Sequence, residues 1–122
     1  MAQKNVSHRF NSWSEGELET SLDLNEFIIE HPAATFFMRI KGDAFKDSGI
    51  TDGALIVIDR ALSLADNKLI VARLDGELTV RRIRMQGNSL LLLTDDPERT
   101  IVLTSELEFE VWGVITYVIN KL

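Results

Sequence analysis

The stretch Arg39-Ile40-Lys41-Gly42-Asp43-Ala44-Phe45-Lys46-Asp47-Ser48-Gly49-Ile50-Thr51-Asp52-Gly53-Ala54-Leu55-Ile56-Val57-Ile58-Asp59 decides the reading of the chain. A strand runs into it: Thr35-Phe36-Phe37-Met38-Arg39-Ile40-Lys41 is rich in β-formers, and its second half alternates Met38 and Ile40 with Arg39 and Lys41. Gly42-Asp43 breaks that strand, and Ser48-Gly49 and Asp52-Gly53 mark two more turns. Leu55-Ile56-Val57-Ile58 is a continuous apolar run of strand length, which predicts burial on both faces before the acidic turn at Asp59.

Working outward, the upstream signal is a short helix. Ser21 or Asp23 can cap Leu24 to Glu30, with Leu24, Phe27 and Ile28 at i, i+3 and i+4 on one face. His31-Pro32 ends it, because the residue before a proline avoids the α region. His31 reads as a helix-end residue rather than a ligand, since the other histidine lies far away. Residues 1–20 show neither a period of 2 nor one of 3.6 and read as a flexible N-terminal arm, with Phe10 and Trp13 as anchors onto the domain or a partner.

Downstream, Leu69–Leu74 reads as a strand, Asp75-Gly76 as a tight hairpin turn and Glu77–Arg84 as the returning strand. Gln86-Gly87-Asn88 turns into Ser89–Leu93, Thr94–Glu98 reads as a solvated loop, and Thr100–Leu103 and Phe109–Ile119 complete the set. The fold class that follows is mainly β: one domain over residues 21–122, with a single short helix near its start. At 122 residues the chain suffices for one core.

A net charge of −6 argues against a general nucleic-acid binder, because phosphate contacts need a cationic face. Arg81, Arg82 and Arg84 cluster, but a short run of this kind reads as a solvated strand face. The absence of cysteine removes disulfides, thiolate metal sites and a cysteine nucleophile. The polar opening does not suit a signal peptide, and no apolar run approaches the roughly 18 residues of a membrane helix. The scattered carboxylates show no metal-ligand spacing, Gly42, Gly49 and Gly53 precede no phosphate-binding helix, and no cofactor is expected.

The pattern around Gly42-Asp43-Ala44-Phe45, Gly49-Ile50, Asp52-Gly53 and Ile58-Asp59 resembles the core of the self-cleaving LexA/UmuD family of serine peptidases. The second block, Asp75-Gly76-Glu77-Leu78-Thr79-Val80-Arg81, and the ending Phe109-Glu110-Val111-Trp112-Gly113-Val114-Ile115 resemble two more stretches of that family. Within it, Leu22-Asp23-Leu24-Asn25 and His31-Pro32-Ala33-Ala34-Thr35 look most like the UmuD branch, whose processed form is an accessory subunit of DNA polymerase V. The resemblance implies a compact LexA/UmuD C-terminal-type β domain. It also implies a serine nucleophile where this chain has Ala44 and a lysine general base where it has Arg81, 37 residues later.

Acyl transfer needs an oxygen nucleophile and a base able to accept its proton near neutral pH. Ala44 has no oxygen, and a guanidinium with a pKa above about 12 does not serve as the base. The expectation is a pseudo-peptidase with no intact catalytic residue. The family's cut bond, Ala-Gly or Cys-Gly, would fall near His8-Arg9, and neither pair occurs in the chain. Phe45, Ala54 and Asn67-Lys68 are further departures from the pattern, and Phe45 is bulky enough to fill part of an emptied cleft.

The resemblance implies a dimeric, cytoplasmic bacterial protein of SOS mutagenesis, of a kind that a plasmid or phage can encode. Its partners would be a Y-family DNA polymerase of the UmuC kind and RecA filaments, with no direct sequence-specific DNA binding. One alternative is a competitor forming mixed dimers with an active relative. A LexA-like repressor would need a DNA-binding domain ahead of the site, where only 43 residues precede Ala44. Two enzyme alternatives are a serine-to-alanine variant of a self-cleaving protein, which leaves Arg81 unexplained, and a hydrolase using Ser48. The apolar run Val111–Ile119 predicts either pairing inside the sheet or an interface, since an exposed edge this hydrophobic invites aggregation.

Overall fold

Among the described residues the chain builds strands β1 Thr35–Arg39, β2 Leu55–Asp59, β3 Leu69–Leu74, β4 Glu77–Gln86, β5 Ser89–Leu93, β6 Ile101–Val102 and β7 Phe109–Ile119, with one α-helix, α1, at Leu24–Ile28. The computed structural model describes residues 22–122. Within them the strands form one antiparallel sheet in the order β1-β2-β7-β3-β4-β5-β6. The mainly β class and the single short helix are as the sequence predicts. The expectations for the arm, Phe10, Trp13 and Ser21 lie outside the described residues.

Alternation along β3 separates two cores. Ile70 and Ala72 join Ile83, Leu92 and Val114 on one face, while Val71 joins Ile56, Ile58 and Ile115 on the other. β2 is buried along Ile56-Val57-Ile58-Asp59, as its unbroken apolar run requires. A third cluster, Phe45, Ile50 and Ala54, comes from the β1–β2 connection and packs with Ile40, Leu69, Val80 and Val118. Each fully buried aliphatic side chain of this kind contributes roughly 1.5–3 kcal/mol.

The terminal strand β7 is not an edge. It pairs with β2 on one side and β3 on the other, which satisfies its backbone and answers the aggregation hazard in its composition. Two register shifts against its neighbours leave Trp112 and Thr116 as extra residues, the signature of β-bulges. At Gly113 the neighbouring strand approaches so closely that a Cβ would lie 2.5 Å from Ile58 Cγ2 and 3.2 Å from the Asp59 carbonyl oxygen. A residue without a side chain is required there.

Local chemistry sets the element ends. Asp23 caps α1 by accepting from the Asn25 amide at 3.0 Å. The helix stops at Ile28, two residues short of the Glu30 expected from sequence, and a 3-10 turn, Pro32–Ala34, follows. β1 likewise ends at Arg39, although Ile40 continues the pairing through bonds with Ala54 and Gly53, both 2.8 Å. Asp75 and Gly76, at φ 48° and 88°, form the β3–β4 hairpin turn with the positive-φ pair that a type I′ turn demands.

Candidate functional site

Two connections close over one end of the sheet and form a cleft of about 410 Å³. The first is the β1–β2 connection. A 3-10 turn, Lys46–Ser48, ends on Gly49 at φ 90°, and the Ile50 amide bonds the Phe45 carbonyl at 3.1 Å. This drives Phe45 into the core at 4% exposure and leaves Ala44 exposed at the cleft wall. Phe45 also lines the cleft. Asn120 fixes the connection from the C-terminal side, donating to the Gly49 carbonyl at 2.9 Å and accepting from the Thr51 hydroxyl at 3.0 Å.

The second connection, after β5, is exposed from Asp96 to Arg99, as its composition suggests, but it is ordered by local bonds. Pro97–Arg99 forms a 3-10 turn capped by Asp96, which accepts from the Glu98 amide at 3.0 Å. Asp95 reaches across to the first connection. Its carboxylate accepts from the Ser48 hydroxyl at 2.6 Å and the Ser48 amide at 3.2 Å, and its own amide donates to the Ala44 carbonyl at 3.1 Å. A carboxylate that accepts two bonds from Ser48, beside a backbone bond to Ala44, is structural, and it fixes the two walls against each other. Ser48 is thereby bonded away from the cleft lining.

The sequence places Ala44 and Arg81 37 residues apart, and the fold brings both to this one cleft. Arg81 also corrects the reading of Arg81, Arg82 and Arg84 as a solvated face. Arg84 is exposed and Arg82 donates to the Asn67 carbonyl at 2.9 Å, but Arg81 is buried at 9% exposure. Its Nη1 donates to the Arg99 carbonyl at 3.1 Å, and its Nε meets no partner among the described residues. Burial, with the nearby Arg99 charge, pushes the Arg81 guanidinium below its ordinary value. Arg39, Lys41 and Arg99 line the same cleft. Its lining hydroxyls, Thr79 and Thr94, bond to the Val80 and Asp96 carbonyls, and among the described residues neither a histidine nor a carboxylate lines it to activate them.

A second constellation pairs His31 with Asp59. The Asp59 carboxylate closes the buried β2 run, accepts from the Ala61 amide at 2.8 Å and meets His31 Nδ1 at 2.6 Å. The bond to Asp59 raises the His31 imidazole above its ordinary value, against a smaller effect of burial. Burial alone would push Asp59 up, but the bonds from His31 and Ala61 outweigh it and hold the carboxyl low. Glu30, His31 and Asp59 bring their ligand atoms within 4.8 Å of one another. That is a metal-like grouping the sequence spacing does not reveal, although the hydrogen bond to His31 already engages Asp59. The signal for the pair was a lone carboxylate at the end of a buried strand, which must find a partner. Among the described residues, no helix is long and apolar enough to cross a membrane.

Comparison with known proteins identifies the surroundings of this cleft. The chain matches the Peptidase S24-like family over residues 2–116. It is 31% identical over 113 residues to Protein MucA of Salmonella typhimurium, covering 92% of this chain and 77% of that one. It is 36% identical over 104 residues to Protein ImpA of Escherichia coli, covering 84% and 70%. With Protein SamA of Salmonella typhimurium the identity is 38% over 103 residues, covering 84% and 71%. A family match across nearly the whole chain, with relatives of this type and a cleft joining the two positions that the pattern singles out, makes this chain a member of the Peptidase S24-like family.

Proposed function

We propose that this protein is a catalytically inactive, UmuD-like accessory protein of SOS mutagenesis that acts as a homodimer and binds a Y-family DNA polymerase, with RecA filaments as a further partner. The observation that carries the reading is the pairing of Ala44 and Arg81 in one cleft. In place of a nucleophile oxygen there is a methyl group, and in place of a titratable amine there is a guanidinium that does not release its proton. The similarity to MucA, ImpA and SamA supports the mutagenesis assignment.

A face of exposed apolar side chains supports the dimer. Phe37 and Tyr117 flank Val57, itself buried, across β1, β2 and β7, and Arg39, Leu55 and Ile119 form the next row. Phe37, Tyr117 and Ile119 are each more than a third exposed, and Phe27 of α1 lies against Tyr117 with ring centroids 5.9 Å apart. Leu22 and Leu24 are also exposed beside Phe27 along the chain. This surface suits a second copy, or the mixed dimer with an active relative. It is the side-chain face of β7 and not its backbone edge.

The test is incubation of the full chain with activated RecA from about pH 6 to about pH 10, followed by mass spectrometry. The expected result is an intact chain throughout. A discrete truncated product, absent from a protease-free control, overturns the pseudo-peptidase reading. Capture of interacting proteins from the native host, with a Y-family polymerase recovered, tests the partner.

A further inference from the structure

Loss of a dyad accounts for Ala44 but leaves unexplained a buried, under-bonded cation at the second position. Of the chain's 13 Lys and Arg side chains, Arg39, Lys41, Arg81 and Arg99 line this one cleft, and none of its 19 Asp and Glu side chains does so among the described residues. In a chain of net charge −6, that concentration is local and one-signed. Asp95, on the second connection, is bonded to Ser48 and does not line the cleft.

We infer that the cleft is a binding site for a carboxylate carried on an extended peptide, anchored by the Arg81 guanidinium. Arg81 is nine-tenths buried, spends Nη1 on the Arg99 carbonyl and leaves Nε without a partner among the described residues. A guanidinium offers Nε and Nη2 as a side-on fork matching the two oxygens of a carboxylate, a geometry that the single ammonium of a lysine does not reproduce. A carboxylate seated there satisfies the buried donor and neutralises a charge that burial has stripped of water. Arg99 and Lys41, both exposed on the walls, add attraction at the mouth.

Two features favour a peptide over a small anion. The cleft has an apolar floor, with Met38, Ile40, Phe45 and Val80 lining it beside the cations. β4 also offers a free backbone edge. β5 pairs with it only from Arg82 to Gln86, so Leu78 to Arg81 lack a strand neighbour on that side among the described residues. An added strand takes backbone bonds from such an edge, while its alternate side chains reach the floor and the cations.

The proposal rests on the reading that the cleft holds a ligand without cutting it, and one experiment separates the two. A fluorescein-labelled octapeptide alternating glutamate with leucine is titrated with the full chain by fluorescence anisotropy, beside its glutamine counterpart, and recovered for mass spectrometry. The glutamate peptide should bind at least about tenfold more tightly, and Arg81→Met should lose about tenfold or more. Arg99→Met, at an exposed position, should lose a few-fold, and it tests the site even if Arg81→Met fails to fold. Arg84→Met, exposed and outside the cleft, should bind as the parent does. Equal binding of the two peptides, parental affinity in both Arg81→Met and Arg99→Met, or inorganic phosphate binding as tightly as the peptide overturns the inference. A peptide that is cut yet still discriminates carboxylate from amide overturns the pseudo-peptidase reading alone. An intact peptide that does not bind overturns this inference alone.

Discussion

Arg81→Met should make the protein more stable while emptying its cleft of function. The guanidinium is 9% exposed, with one hydrogen bond, to the Arg99 carbonyl, and one buried donor unpartnered among the described residues. An unsatisfied buried donor costs about 1–3 kcal/mol, and the bond that is lost contributes about 0.5–1.5 kcal/mol. Arg99 is exposed, so water can replace Arg81 at its carbonyl. Methionine keeps most of the stem volume against the neighbouring apolar residues and removes the desolvated charge, a replacement that is often neutral or stabilising. The expected net is a gain of about 1 kcal/mol, or roughly 4 °C in Tm for a domain of this size. Urea denaturation with an unchanged m-value, alongside a thermal melt, measures it. A loss of more than about 1 kcal/mol would refute the reasoning, because it would mean that Arg81 is satisfied by a structural partner and holds the cleft together. A gain in stability together with lost peptide binding is the trade expected of a functional residue held at structural expense.

Reactivation should need both Ala44→Ser and Arg81→Lys, acting on a supplied cleavable peptide. Burial and the Arg99 charge that push Arg81 down would also push a lysine amine down, toward a usable base, while either single change leaves half the dyad missing. Cleavage by Ala44→Ser alone at the double variant's rate would count against it. Gly113→Ala should destabilise by about 1–3 kcal/mol in urea titration, since its Cβ would meet the buried Ile58 Cγ2 at 2.5 Å; an unchanged midpoint would contradict the close approach of β2 and β7. The raised His31 contributes stability that is full below the ordinary histidine value of about 6.5 and lost as pH rises through its higher folded value. The lowered Asp59 contributes stability present above its ordinary carboxylate value and lost as pH falls through its lower folded value. Melts across pH should therefore fall off on both sides, and His31→Gln should flatten the alkaline side; an unaltered profile would remove His31 from that role. Tyr117→Glu should weaken dimers in micromolar sedimentation without unfolding the chain, and a parent protein that is monomeric there defeats the dimer proposal.

How much of this was legible in the sequence depended on how local the cause was. β2, the Asp75-Gly76 turn and the Asp23 cap follow from neighbouring residues, and they stand where the sequence puts them. The position of β7 between β2 and β3 was legible only as a choice, because an apolar strand satisfies its hydrogen bonds equally well in a sheet centre or at an interface. Its bulges at Trp112 and Thr116 leave no mark in the alternation, since they are set by partner strands far away in sequence. Asn67, by contrast, one of the departures from the pattern, stands at a φ of 67°, in the left-handed region that few residues other than glycine tolerate.

The site was legible as positions and not as an environment. Spacing and pattern named Ala44 and Arg81, but composition assigned Arg81 to a solvated face, and it gave no sign that Asp95, in an exposed loop, bonds across to Ser48. Short polar runs are read as exposed because burying a charge is costly. That rule fails where two connections fold toward each other and one contributes the partner for a group on the other. Asp95 finds the Ser48 hydroxyl and amide and ties the two walls. The Arg99 that follows supplies both the carbonyl that holds Arg81 and part of the charge that lowers it. The second connection therefore sets both the shape and the electrostatics of the cleft, which makes its residues more informative about ligand chemistry than the two positions the family pattern marks.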